Sequence, residues 1–576
     1  MVVTTAADTD KLTLDMKKIF TIIVTSFAVC LAAHAQSMYD AYTFSENNYI
    51  GTAKSAGLAN AVTALGGDLG TIGINPAGSA VAGYSQFTIT PALSLSVGRT
   101  HYALSPNNDY EPGRNTFNPA FKLPNIGVST RYDTDGEALR SFTFAFVCNT
   151  VTDYNSRMVS TGLNSLSSRF GEMAAAATDL NIAPADLASN NFYDNAAYSH
   201  YWDTALGYDI GLINSFGTNN EYVGCSEILS DKGDHYVPSA LRQTSTVTHM
   251  GYKSDMILNF GFNVKDRLFI GLNMGIPMLE YSNIENFAEV AQTVEDFPVS
   301  FTYADSSTED TYFSDAVYRY NYHAKAAGLY LKGGLIWLPT NSLRIGLAYQ
   351  TRTILDVEES WQHSGKVAYD NGKSYSGAGQ EGWYNYNLYA PSVLDAGIAW
   401  TFGRKGLVSF DYEMVGYGRM KFASKEYYEV EDEYDYENAA IKAFSGAAHN
   451  FRLGAELNVA PQFALRAGAS LRTSPEKYYE GQNGATVTYD DYNNDYYLGR
   501  KTLVGSGKHY NDMVIGAAAG CGFNPSGSFF ADLAVQGTLY PVTVYQPYYD
   551  YSTLYSPRIS QRRLLCAALI TLGWRF

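Results

Sequence analysis

The chain has 576 residues and a net charge of −17, which argues against nucleic acid as a partner, because a phosphate backbone is gripped by basic surfaces. A mean hydropathy of −0.18 and the lack of any run of eighteen or more apolar residues exclude a bundle of membrane-spanning helices. With 47 Tyr, 29 Phe and 51 Gly but only 17% charged residues, the composition points to aromatic-rich extended segments separated by turns.

Lys17-Lys18, the apolar run Ile19 to Ala33 and the small-residue end Ala33-His34-Ala35 follow the order of a secretory signal peptide over residues 1–35. Asp8, Asp10 and Asp15 dilute its basic start, so Met16 is the expected start of translation. Removal of residues 1–35 takes away as many acidic as basic side chains and leaves the net charge unchanged. Val29, branched where a small residue is needed, argues against a lipid anchor on Cys30.

Residues 36–83 read as a compact unit. Gln36 to Ile50 is a polar, aromatic lead-in; Leu58, Val62 and Leu65 then recur at helical spacing, and Gly66-Gly67 supplies a stop, so a short helix is expected to end there. Asp68 to Gly83 is glycine-rich and, apart from Asp68, uncharged, which suits a buried, irregular backbone. Within it Asn75-Pro76-Ala77-Gly78 marks a tight turn, with the Asn75 amide expected to tie that turn to backbone or to a surrounding wall. Asn75, Pro76, Ala77 and Gly78 are the candidate site residues, with Leu65, Ile72 and Ile74 as apolar companions.

From Tyr84 onward alternating segments predict strands at 84–98, 121–131, 140–150, 253–264, 268–281, 322–337, 343–357, 388–402, 407–424, 448–459, 463–473, 509–523, 529–540 and 561–576. Each is near or above the nine to eleven residues that a tilted strand needs to cross a bilayer. Phe451, Leu453, Ala455, Leu457 and Val459 share one face, and Arg452, Gly454, Glu456 and Asn458 the other; Leu465 and Ala469 against Arg466 and Ser470 repeat the pattern. Short turns such as Lys265-Asp266-Arg267 and Ala460-Pro461-Gln462 alternate with long polar loops, the layout of an all-β transmembrane antiparallel barrel of about fourteen strands. A long insertion at about 151–250 carries a predicted helix around Phe170 to Leu180 and is expected at the outer mouth. The last segment places Ile570, Leu572, Trp574 and Phe576 on one face and ends on an aromatic, resembling the terminal strand by which the barrel assembly machinery recognises its clients.

Taken together, the signal peptide, the small unit ending in Asn75-Pro76-Ala77-Gly78, the fourteen strands and the terminal Phe576 resemble the FadL-type outer-membrane transporters of long-chain fatty acids and other hydrophobic compounds. The resemblance implies a barrel of residues 84–576 in the outer membrane of a Gram-negative bacterium, blocked by an N-terminal hatch over 36–83. It also implies an apolar lumen pocket, and lateral or hatch-gated release of a fatty acid or similar lipid. The insertion and the tyrosine content exceed the family pattern. Rival readings are a related barrel for protein secretion or surface assembly, and an outer-membrane hydrolase.

No catalytic, cofactor or metal site is expected. Gly377-Ala378-Gly379-Gln380-Glu381-Gly382 lacks the strand and helix that a dinucleotide fingerprint needs and reads as a loop; Gly505-Ser506-Gly507-Lys508 reads as a turn. Acidic clusters at Glu429 to Glu437 and Asp490 to Asp495 lack EF-hand spacing. Cys148, Cys225, Cys521 and Cys566 have neither zinc-like nor disulfide-framework spacing. Inward charges such as Arg452, Glu456, Arg466, Asp411 and Asp532 are expected to pair within the lumen and not to contact a ligand.

Overall fold

The computed structural model describes residues 37–104, 110–195, 198, 201–216, 219–230, 235–302, 307–425, 434–480, 486–487, 502–506, 513–525, 527–548 and 557–576. The expected signal peptide, the Asp490 to Asp495 cluster and most of Glu429 to Glu437 lie outside them. No helix among the described residues is long and apolar enough to cross a membrane.

Strands do the crossing. In chain order they are β1 (Gln86–Ala103), β2 (Arg114–Asp133), β3 (Leu139–Asp153), β4 (Leu241–Val264), β5 (Leu268–Ala291), β6 (Thr308–Trp337) and β7 (Leu343–Gln350 continued by Thr353–Tyr369). The second half comprises β8 (Gly382–Ala390 and Val393–Thr401), β9 (Gly406–Val415 and Lys421–Ser424), β10 (Ala448–Ala460), β11 (Phe463–Arg472), β12 (Val514–Phe523), β13 (Phe529–Tyr545) and β14 (Arg558–Arg575). Each pairs antiparallel with its sequence neighbours, and β14 returns to β1 through pairs such as Phe87 with Trp574, so the ladder is closed. A closed ladder leaves no edge and satisfies the backbone without water.

The alternation does what the sequence pattern required. Leu453, Leu457 and Leu465 point outward and are about half exposed, while Arg452 and Arg466 point inward and are buried. At the end with the short turns, Trp337, Trp400, Phe402, Phe463, Phe529, Trp574 and Phe576 project outward from strand ends. An apolar outer band bounded by aromatics, around a charged interior, is the signature of a membrane barrel.

At the other end the strands run further than the alternation announced. β4 begins at Leu241 and β6 at Thr308, because the added stretches, such as Arg242 to Thr248, carry polar residues on both faces and lose the lipid-facing signal. On them rests a cap of α4 (Arg169–Asp179), α5 (Pro184–Leu187) and α6 (Trp202–Asp209), whose Phe170, Met173, Leu206 and Ile210 form one core with Phe313, Tyr318 and Val367 of β6 and β7. The Glu289 carboxylate of β5 fastens it, accepting from Ser168 Oγ (2.7 Å), Ser226 Oγ (2.6 Å), Arg169 N (2.8 Å) and Gln243 Nε2 (2.9 Å).

Two expectations about glycine stretches are corrected. Ser374–Ala378 is a strand paired with β7, and Gly382 opens β8 along the same partner, so within Gly377 to Gly382 only Gly379 to Glu381 interrupt a strand; Gly505 and Ser506 end the strand Thr502–Ser506, while Gly507 and Lys508 lie outside the described residues.

Candidate functional site

Residues 37–83 contact strands all round the ring and fill its interior. The expected helix up to Leu65 is shorter than predicted: α2 covers only Ala53–Gly57, because Ala59 and Asn60 take positive φ (49° and 60°) and turn the chain. Asn tolerates that conformation, and its amide donates to Tyr49 O at 2.6 Å. Gly66 and Gly67 adopt positive φ, and α3 (Gly78–Val81) closes the segment.

Asn75 is the hub of the lower half. Its Nδ2 donates to Thr63 O (2.7 Å) and to the wall carbonyl of Leu335 (3.1 Å), and its Oδ1 accepts from Ala77 N (3.1 Å). The wall answers with polar side chains aimed at exposed backbone. Asn259 donates to Pro76 O (2.9 Å), Asn273 to Ile72 O (2.8 Å), Lys332 to Gly73 O (3.0 Å) and Arg344 to Leu65 O (2.9 Å), while Asp411 accepts from Thr63 N (2.7 Å). An irregular buried backbone has few partners of its own, and these side chains supply them.

Close approach is made possible by glycines on the inner wall. Gly261, Gly271 and Gly334 lie opposite one another across β4, β5 and β6, as do Gly346 with Gly397 and Gly454 with Gly468. A methyl on Gly271 would overlap the Pro76 carbonyl, on Gly334 the Asn75 amide, on Gly346 the Thr63 carbonyl and on Gly468 the Leu58 backbone. Cross-strand glycines weaken a sheet, and here they form a flat seat for another backbone.

Other buried charges form ion pairs within the lumen. Arg452 pairs with Glu413 (2.7 Å), Lys332 with Asp395 (2.9 Å) and Arg466 with Glu456 (2.7 Å) and Asp532. Asp68 is buried and accepts from Thr52 Oγ1 at 2.5 Å; burial pushes its carboxyl up, against the pull of Lys54 and this bond.

The upper half of the segment is a helix, α1 (Met38–Ser45), opened by a capping box in which Ser37 and Asp40 cap each other's backbone. Met38, Ala41 and Phe44 pack in one cluster with Leu279, Tyr281, Tyr322, Leu355, Val357 and Tyr386 of the wall and with Ile441 and Phe444 of α7 (Asp435–Phe444). Cavities flank it: one of about 350 Å³ lined by Thr43, Glu46, Tyr154, Tyr281, Tyr540 and Arg563, and one of about 270 Å³ lined by Tyr42, Glu46, Tyr417 and Arg472. Burial alone would raise the Glu46 carboxyl, but the adjacent Arg472 guanidinium, to which it is paired, brings it below its ordinary value.

The seven sequence-derived site residues therefore act in docking. Leu65 and Ile74 pack with Tyr49, Leu58 and Val151; Ile72 packs with Leu69, Val147 and Ile257; Asn75, Pro76 and Ala77 sit against β5 and β6, and Gly78 packs on Thr71 and Gly66 within the segment. None of the seven borders the two cavities beside α1.

One further feature went unread in the sequence. β2 pairs with β3 only from Asn125 to Asp133; from Pro124 back to Arg114 it pairs with β1 alone. β3 bulges at Val151, turns at Asp153 to Asn155, and continues as Ser156–Asn164 on the inner side, where Thr100 Oγ1 of β1 donates to Val159 O (2.5 Å). The wall thus has a break between β2 and β3, bridged by Lys122 with Asp153 at 3.3 Å. Ile50 N and Asn48 N donate to Thr150 O (3.1 Å) and Val151 O (2.9 Å), so the lumen segment bonds β3 just beyond its last pair with β2. Pro119 and Pro124 were the available signal, because a strand carrying Pro cannot donate to a full ladder.

The fold and lumen define a closed fourteen-stranded membrane β-barrel filled by its own N-terminal segment. In architecture the chain is similar to a FadL homologue of Pseudomonas aeruginosa (9% identity, 91% of this chain and 98% of that one, TM-score 0.45). It is also similar to the toluene transporter TodX of Pseudomonas putida (12% identity, 91% and 97%, TM-score 0.42) and to the CymD monoaromatic hydrocarbon channel (10% identity, 92% and 99%, TM-score 0.41). No family model and no curated protein matches the sequence.

Proposed function

We propose that the protein is a passive outer-membrane transporter through which a hydrophobic compound, a long-chain fatty acid or a similar lipid, enters a Gram-negative cell. In this reading the short-turn end faces the periplasm, the cap of α4 to α6 lies outside, and residues 36–83 are the hatch. The observation that carries it is the break between β2 and β3. It opens beside Leu93, Phe121 and Leu123, which are exposed on the outer surface, so a solute leaving the lumen there would meet hydrocarbon without crossing the polar seat of the hatch. An apolar solute gains free energy by that route and loses it on the aqueous one, so a side exit needs no energy source.

The test is uptake of radiolabelled oleate and of toluene into proteoliposomes. Accumulation above that of empty vesicles is expected for at least one of them. Lys122→Cys with Asp153→Cys, in a cysteine-free background and joined by a short bifunctional thiol reagent, should slow it several-fold, with recovery on reduction. Uptake no faster than in empty vesicles would sink the proposal.

A further inference from the structure

One arc of the outer wall departs from the charge pattern of the molecule. β13, β14, β1 and β2 are successive neighbours, and their only carboxylates are Asp532 and Asp133, both near the short turns. At the far end of the same strands Arg99 of β1 stands directly opposite Arg562 of β14, and both are exposed on the outer surface. His101 and Arg558 continue these two columns upward, opposite Ser560 and Ala103. Like charges directly opposite each other, with Cβ atoms about 5 Å apart, weaken a ladder. The chain as a whole carries a net charge of −17, yet it sets no acidic side chain on these strands to offset the pair. Arg99 makes no hydrogen bond or ion pair among the described residues, and Arg562 donates only from Nε, to Tyr540 O at 3.3 Å.

The height of the pair on the barrel defines what it meets. Phe87 and Trp574 belong to the aromatic rim at the short-turn end, and Arg99 and Arg562 are each twelve residues further along the same two strands. At about 3.3 Å per residue and a tilt of about 40° this is roughly 30 Å, the thickness of the hydrocarbon core. The two guanidinium groups therefore stand where the headgroups of the outer leaflet begin. Below them the outward face is apolar, with Leu93, Phe117, Val535 and Leu564 exposed. A ligand suited to this surface carries anionic oxygens at one end and several hydrocarbon chains at the other. Each guanidinium presents a planar fork of donors that matches phosphate oxygens, and two forks side by side hold one phosphate more firmly than a single cation could.

We propose that Arg99 and Arg562, with His101 and Arg558 above them, bind the phosphorylated headgroup of an outer-leaflet glycolipid whose acyl chains lie along Leu93, Phe117 and Leu564. The bound lipid supplies the counter-charge that the strands omit, and it sits beside the break between β2 and β3. The inference uses the orientation given above and is independent of transport: it concerns the outer surface of the wall, and no solute in the lumen touches it.

The experiment titrates the purified full-length barrel in detergent, its folding verified by heat-modifiable gel mobility, with bisphosphorylated hexa-acyl lipid A and reads the adducts by native mass spectrometry. A saturable adduct is expected, and Arg99→Gln with Arg562→Gln should weaken it roughly tenfold, because two charge-assisted contacts are lost. Arg404→Gln with Lys405→Gln, exposed at a short turn, should leave it unchanged. Native-like binding by the folded Arg99 and Arg562 double variant would overturn the proposal, and so would an equal loss in the short-turn variant, which would mean general attraction to a cationic protein. Three further ligands separate the sources of the chemistry. Equal affinity for lipid A stripped of its phosphates would reduce the site to apolar adhesion, equal affinity for phosphatidylglycerol would remove the assignment to a glycolipid, and displacement by equimolar inorganic phosphate would leave an anion site with no use for acyl chains. Each of these three results overturns the proposal; much weaker binding of all three ligands upholds it.

Discussion

At the scale of single residues, the lumen is governed by what is missing as much as by what is present. Gly334 has no side chain because the Asn75 amide and the Pro76 ring occupy that space, and Asn75 in turn bonds Thr63, Leu335 and Ala77. Gly334→Ala should therefore lift the turn off β6, with a penalty of about 1–3 kcal/mol for overpacking. Asn75→Ala should weaken docking by about 1–3 kcal/mol for each buried group left unpaired. The check is hydrogen exchange of Ile72 to Ala80 in the inserted barrel. Both variants should lose protection there while β10 and β11 stay protected. Protection equal to that of the native chain would mean that the turn is held by something other than this seat.

Among the elements, β10 and β11 are the cleanest case of a pattern setting an environment. Leu453, Leu457 and Leu465 face outward and are 52%, 56% and 50% exposed, while Ser470 points into the lumen. Single Arg substitutions at the three leucines near mid-membrane should cost roughly 2–4 kcal/mol, and Arg at Ser470 much less, read as the denaturant midpoint of unfolding from lipid vesicles. Equal losses on both faces would contradict the register. Asn458, assigned to the inward face, is instead exposed at the turn end and donates to Arg404 O, so it is no control for lumen substitutions. β2 shows the limit of pattern reading: its alternation continues through Pro119 and Pro124, although half of the strand has no partner on the β3 side.

For the molecule as a whole, the wall closes its own backbone ladder apart from the break beside β2, and the contents are matched to it in shape, charge and hydrogen bonding. Each wall strand is bonded to its neighbours through the closed ladder, so a chain lacking residues 51–83 should still insert and show the heat-modifiable mobility of a folded barrel. The space vacated is lined by Lys332, Asp395, Asp411 and Arg452, which would attract water. Faster swelling of liposomes in small sugars is expected; a folded barrel without that leak would show that the cap and α1 block the lumen by themselves.

Some of this was legible from residues alone. All fourteen spans were, because a strand in hydrocarbon must be apolar on one face, and the closed, even-numbered ring follows from short turns alternating with long loops. The pairing of Arg452, Arg466 and Asp532 inside was legible for the same reason, since charge on that face has nowhere else to go. The seat for Asn75 was not, because a wall glycine becomes meaningful only when register sets Gly271 beside Gly334 and both beside Pro76. The use of Met38, Ala41 and Phe44 was also beyond the sequence: a three-residue apolar face in a polar lead-in has no preferred partner until closure of the barrel brings Tyr281, Tyr322 and Tyr386 around it. Local alternation determines which face a residue takes; tertiary structure alone decides what that face meets, because the meeting residues are hundreds of positions apart and are brought together only by the ring.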